Sequence, residues 1–210
     1  MHSTIRIGVV AAALAGMTAF AACASSNQYP ANSAAGTVDL AAYPAPDLSA
    51  SEITLLRGMS DQQILGHLIL VDSMEVATAD STIRIAMSDP VLSYARLMRT
   101  VHSKDLADVR SLGRERGITP VQQFGGLRAS HIAADLDSIP QASDLTLVRH
   151  YVMSQVELHQ HVLRELEQLQ QTTRDPALRN HIAMMIPVVR DHLARAHAIA
   201  IEKGYEKKRA

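Results

Sequence analysis

The sequence predicts an all-α protein, a four-helix bundle whose second and third helices are joined by one long crossover. Three observations carry this. Four segments repeat their apolar residues with a helical period over six or more turns. No stretch offers the alternation and turn residues of a β-hairpin. The connection from Gly117 to Asp144 holds Pro120, Gly125, Gly126 and Pro140 and is far longer than a tight turn. A bundle about 40 Å tall needs only about a dozen extended residues to be crossed end to end. Two helical hairpins joined in this way make the ferritin-like variant of the bundle.

The first helix is expected from Asp61 to Met87, where Ser60 and Gln63 have capping-box spacing. The second opens at Asp89-Pro90, with proline in the first turn where its missing N–H is harmless, and ends at Gly117. A short helix near Ala129 to Ile139 is expected to pack along the crossover. The third helix runs from about Asp144 to Thr172. The fourth opens at Asp175-Pro176 and closes at Gly204, ahead of a basic tail, residues 207–210, carrying Lys207, Lys208 and Arg209. Pro187 removes one helical hydrogen bond from the fourth helix and is expected to bend it.

Ahead of the bundle, residues 1–22 have the layout of a secretory signal peptide, with Arg6 followed by a run of apolar and small residues. Phe20-Ala21-Ala22-Cys23 resembles a lipobox, with Phe where Leu is usual, and Cys23 is the single cysteine of the chain. Lipidation at Cys23 is the expectation, and no disulfide within one molecule is possible. Ala24, which is not acidic, favours the outer membrane of a Gram-negative cell, with the domain facing the periplasm. Residues 23–50, rich in Ala, Ser, Pro and Asn, are expected to form the anchor and a flexible tether. One domain, residues 51–206, remains.

Charge and composition exclude several functions. The chain has 20 basic and 21 acidic residues, and such a near-neutral balance argues against a nucleic-acid partner. Beyond the signal peptide no apolar run reaches the roughly 18 residues of a membrane span, so the lipid would be the membrane attachment. Aromatic residues are scarce, with no Trp, which disfavours a haem or flavin pocket. P-loop, G-x-S-x-G, H-E-x-x-H and C-x-x-C motifs are all missing from the sequence, so nucleotide and classical hydrolase chemistry drop out. Association with a protein partner or with further copies of the chain stays open.

Stepping alternately by four and three residues traces the core stripe of each helix. The stripes read Ile64, Leu68, Val71, Glu75, Thr78, Thr82, Ile85; then Val91, Ala95, Met98, His102, Asp105, Val109, Leu112. The third and fourth read Val148, Val152, Gln155, His159, Val162, Leu166, Leu169 and Leu178, Ile182, Met185, Val189, His192, Ala196, Ile199. Each breaks near mid-helix with a polar residue: Glu75, His102, His159 and His192. These lie about 12 to 16 residues along their helices, roughly 18 to 24 Å, and so would meet at mid-height whichever way the helices run.

Burying one such group is costly unless it is paired, hydrogen-bonded or metal-bound. Three imidazoles and a carboxylate match the ligands of one Zn, Fe, Mn, Cu or Ni ion. The same ring can equally be a satisfied polar layer that fixes helix register, the commoner use of a core histidine. Both readings stand at this stage. Asp72 and Gln155, one turn before Glu75 and His159, are expected to orient the four groups, and Arg99, one turn before His102, to pair with a carboxylate. His161, about 200° round the helix from His159, is expected to face solvent. His67, His150, His181 and His197 flank their stripes and are expected at the surface, with His131 in the crossover.

Four fragments together resemble a known family: Glu75 in the first helix, Tyr94-Ala95-x-x-Met98-x-x-x-His102, Tyr151-x-x-x-Gln155-x-x-x-His159, and Ile186-Pro187-x-x-x-x-His192-Leu193. They are similar to a bacterial envelope family of unknown function, numbered 4142 among such domains and placed in the ferritin-like superfamily, over about Met59 to Ile201. The resemblance implies a ferritin-like bundle in a secreted or lipid-anchored protein, and no known activity. The chain departs from the family's usual Asp-His in the second helix, having Val101-His102, and from its Phe-Asp entering the third, having Leu147-Val148. The Glu-x-x-His pairs of di-iron ferritins are also missing, since Arg99 and Val189 stand three residues before His102 and His192.

Overall fold

The structure, a computed structural model, describes residues 38–86, 89–121 and 144–209. Among these, regular structure is entirely helical: α1 Ala50–Gly58, α2 Asp61–Ile85, α3 Asp89–Arg116, α4 Asp144–Thr172 and α5 Pro176–Glu202, after one 3-10 turn at Leu40–Ala42. The expected signal peptide, Cys23, the first part of the expected tether, and the segment with His131 where a short crossover helix is expected lie outside the described residues. No helix among those described is long and apolar enough to cross a membrane.

The expected start and stop signals act where they stand. Ser60 and Gln63 close a capping box on α2, with Gln63 N–H donating to Ser60 Oγ at 3.3 Å and Ser60 N–H to Gln63 Oε1 at 2.8 Å. Asp175 caps α5 by accepting from the N–H groups of Ala177 and Leu178 at 2.9 and 3.0 Å. Gly117 and Gly204 adopt φ of 65° and 69° just past the ends of α3 and α5. Ile118 N–H returns to Gly113 O at 2.8 Å, and Tyr205 N–H to Ala200 O at 2.7 Å, so the last carbonyls are satisfied. The helix α5 continues through Pro187.

Helix α2 packs chiefly on α3, and α4 on α5. Each pair is joined by only a few residues and is therefore antiparallel. Polar ties show which ends meet. Asp61, at the start of α2, accepts from the N–H groups of Arg174 and Asp175 at 2.9 and 3.0 Å, and Arg116, at the end of α3, pairs with Asp175 at 2.8 Å. One end of the bundle thus holds the starts of α2 and α5 and the ends of α3 and α4. The chain leaves α3 at this end and enters α4 at the other, which makes the connection a lengthwise crossover. The fold is an all-α, ferritin-like bundle.

Nearly every stripe residue is buried. All seven of the α4 stripe and all seven of the α5 stripe are, and the partial exceptions are Thr78, Ile85 and Leu112. The nine-residue helix α1 was not anticipated. It carries its own capping box, Ser49 with Glu52, and buries Leu56 against the bundle. Part of the expected tether also packs on the domain: Tyr43 is buried, its ring 4.4 Å from that of His197, and its hydroxyl accepts from Arg209 N–H at 2.8 Å. His197, expected at the surface, is buried beneath Tyr43 with Nδ1 on Glu206 Oε2 at 2.6 Å.

Candidate metal centre

Glu75 and His102 lie 14 residues from the shared end of the bundle, His159 lies 13 and His192 lies 16. At 1.5 Å per residue these depths agree within about 5 Å, so the α2–α5 geometry alone brings the groups to one level. All four are at most 3 % exposed.

The structure brings the three histidines together. One nitrogen from each of His102, His159 and His192 can be chosen so that the three lie within 4.8 Å of one another. The ring centroids are 5.3 Å apart for His102 and His192, 5.4 Å for His159 and His192, and 6.1 Å for His102 and His159. Glu75 does not belong to that group, contrary to its expected place as a fourth ligand. Gln155 Nε2 donates to Glu75 Oε2 at 3.0 Å and holds the carboxylate to one side, leaving Oε1 3.8 Å from His159 Nδ1.

Neighbours fix the rings. His102 Nδ1 meets Asp72 Oδ1 at 2.9 Å, which leaves Nε2 as the remaining nitrogen, and Nε2 has no protein partner. His159 Nδ1 donates to the backbone carbonyl of Gln155 at 2.9 Å, so its Nε2 carries the lone pair. His192 Nδ1 is buried without a partner. On the far side, the Tyr94 hydroxyl lies 3.3 Å from both Gln155 Oε1 and the His192 carbonyl, bracing two of the helices that present the trio. Arg99 takes no part: it is exposed and pairs with Asp80 at 3.6 Å.

Burial also sets the charge state. Desolvation, helped by the neighbouring His102, lowers the pKa of His159 from 6.5 to about 3, against the pull of the Gln155 carbonyl. Desolvation and the other two rings push His192 well below its ordinary value. Both imidazoles are therefore neutral near pH 7, the form that coordinates a metal. Desolvation raises the pKa of Glu75, and desolvation with the charge of Asp105 raises that of Asp72 well above the usual carboxylate range.

Several titratable groups near the centre were missed. His67, His161 and His181, expected to face solvent, are 3, 4 and 8 % exposed. His67 Nε2 pairs with Glu165 Oε2 at 3.0 Å, and His181 Nε2 lies 3.1 Å from Asp105 Oδ1. Burial opposes a proton on His181, but Asp105, with Asp72 and Asp108 behind it, outweighs burial and raises its pKa. Glu165, fully buried, sits beside the α4 stripe, not on it, so the stripe does not single it out.

Residues 46–199 match the model of a domain of unknown function, DUF4142. The chain belongs to the DUF4142 family. No curated protein matches it. Among solved structures it is similar to a DUF305 fragment from Deinococcus radiodurans, with a TM-score of 0.53 and 11 % identity over 73 % of this chain and 97 % of that one. At that identity the likeness speaks for the fold alone. The DUF4142 chain thus has a family without a stated chemistry, and its chemistry has to be argued from the trio.

Proposed function

We propose that this DUF4142 protein binds one transition-metal ion at His102, His159 and His192, as a sequestering or redox-protective binding protein of the bacterial cell envelope. The observation that carries this reading is the pair of orphaned nitrogens. A polar layer that only fixes helix register has its buried groups satisfied, whereas His102 Nε2 and His192 Nδ1 have no protein partner within the buried cluster. The contacts of His102 with Asp72 and of His159 with the Gln155 carbonyl are of the kind that orient metal-bound imidazoles. Three imidazole nitrogen donors suit Zn, Cu, Ni or Fe(II) better than Mg or Ca. Glu75 stands beside the trio as a hydrogen-bonded carboxylate.

Metal analysis of chelator-stripped protein exposed to Zn, Fe, Cu, Mn and Ni in turn tests this. About one equivalent of at least one metal is expected, with loss of binding in the His102→Ala, His159→Ala double variant. Less than about 0.1 equivalent of every metal, or unchanged binding in that variant, would count against it.

The same reading places the protein on the membrane through a lipid at Cys23, most simply in the outer membrane with the bundle in the periplasm. Mass spectrometry of the N-terminal peptide checks this. A diacylglyceryl Cys23 is expected, and a free Cys23 thiol, or a mature chain beginning elsewhere, would refute the anchor.

A further inference from the structure

At the end of the bundle where α2 starts and α3 stops, the two helices and the turn after α3 border a groove of about 340 Å³. That volume lies within the range of small-molecule clefts, about 300 to 1,000 Å³. Leu65 beneath it is buried, Ile69 and Ile118 are half-buried and Pro120 is exposed, so the walls offer apolar surface. Gly113 shapes the floor. A Cβ there would stand 2.7 Å from Leu65 Cδ2 and 3.1 Å from the Ile118 carbonyl oxygen, so α2 and the turn close on α3 this tightly only at a glycine. Gly117, at φ 65°, then reverses the chain and brings Ile118, Thr119 and Pro120 to the groove.

Two arginines, Arg110 and Arg114, complete the lining, and no Asp or Glu lines it. They stand four residues apart on α3, hence on one face, with Cβ atoms about 5 to 6 Å apart. Both are exposed, and among the described residues neither guanidinium has a partner. Elsewhere on the bundle Arg99, Arg116, Arg190 and Arg195 each hold a carboxylate. Like charges at this spacing repel, so the pair costs stability while nothing lies between the two groups. One unpaired surface arginine is ordinary. Two that share an acid-free groove with an apolar floor match a ligand of opposite charge with an apolar body. We propose that this groove binds a single-chain anionic amphiphile. Its carboxylate headgroup accepts hydrogen bonds from the Arg110 and Arg114 guanidiniums, whose planar forks match carboxylate geometry, and its acyl chain lies along Ile69, Ile118 and Leu65. Neither a metal in the histidine trio nor a lipid at Cys23 is required.

The test is calorimetric titration with monomeric decanoate of the full chain carrying Cys23→Ser, so that no lipid or detergent competes. Saturable binding is expected. Acetate, which lacks the chain, and decyltrimethylammonium, which lacks the negative charge, should each bind at least about tenfold more weakly. Adding Arg110→Gln and Arg114→Gln, both at exposed positions, should weaken decanoate binding at least about tenfold. Amide resonances of the isotope-labelled protein should shift on binding at Gly113, Gly117, Ile118 and Thr119, a readout that needs no change in the groove. Absence of decanoate binding overturns the site, as does equal binding after the arginine changes, or shifts confined to the other end of the bundle. Acetate binding as tightly as decanoate would leave a bare anion site and overturn the amphiphile. Decyltrimethylammonium binding as tightly as decanoate would overturn the role of the arginines.

Discussion

Replacing His159 by Gln provides a quantitative probe of the buried trio without any metal. In the folded protein desolvation holds the pKa of His159 down at about 3, while in the unfolded chain it returns to about 6.5. Between these values the unfolded state binds a proton that the native state refuses, so stability falls as pH falls. From pH 7 to pH 5 the unfolded imidazole gains about 1.5 units of protonation free energy at 1.36 kcal/mol each, a loss of about 2 kcal/mol. Glu75 and Asp72 act in the opposite direction. Their raised pKa values mean that the native state holds protons that the unfolded state releases, so acid strengthens them down to the ordinary carboxylate range. Comparing wild type with His159→Gln at each pH isolates the histidine. Urea unfolding in the presence of chelator is expected to show the stability difference, wild type minus variant, shrinking by about 2 kcal/mol from pH 7 to pH 5. A difference that stays constant over this range would mean that His159 takes up protons in the native state as it does in the unfolded chain, and the neutral buried His159 would be wrong.

Three further outcomes follow from the same geometry. Asp72→Asn, which weakens the acceptor for His102 Nδ1, should reduce metal affinity of the trio by about 10- to 100-fold in competition with a chromophoric chelator; unchanged affinity would remove Asp72 from the site. Gly117→Ala puts a side chain at φ 65° where nothing lies within 4 Å of the new Cβ, so the cost is backbone strain alone, about 1 kcal/mol by denaturant unfolding. Leu169→Ala, at a fully buried position of the α4 stripe, should cost about 2 to 5 kcal/mol, and a loss below about 1 kcal/mol would contradict its place in the core.

The trio could be read from the sequence because it lies on the stripes themselves. A 3.5-residue step predicts which side of a helix is covered, and His102, His159 and His192 interrupt that side at a depth set by caps that are also legible. The caps at Ser60 and Asp175 and the stops at Gly117 and Gly204 locate the ends to within a residue or two. His67, His181 and Glu165 flank their stripes, and whether a flanking residue is buried depends on how closely the neighbouring helix crosses, which one helix's own period does not contain. Glu75 shows the limit from the other side. Its depth and face are as expected, yet the hydrogen bond from Gln155 turns it aside from the nitrogen cluster. Helix α1 is too short for its period to speak, although Ser49 and Glu52 spell its start.

The claim that His102, His159 and His192 jointly hold one ion is tested most directly by X-ray absorption at the zinc edge, on chelator-stripped protein loaded with one equivalent of Zn(II). The account predicts three imidazole nitrogens at about 2.0 to 2.1 Å. A shell dominated by carboxylate oxygens, or one with fewer than two imidazoles, would contradict it.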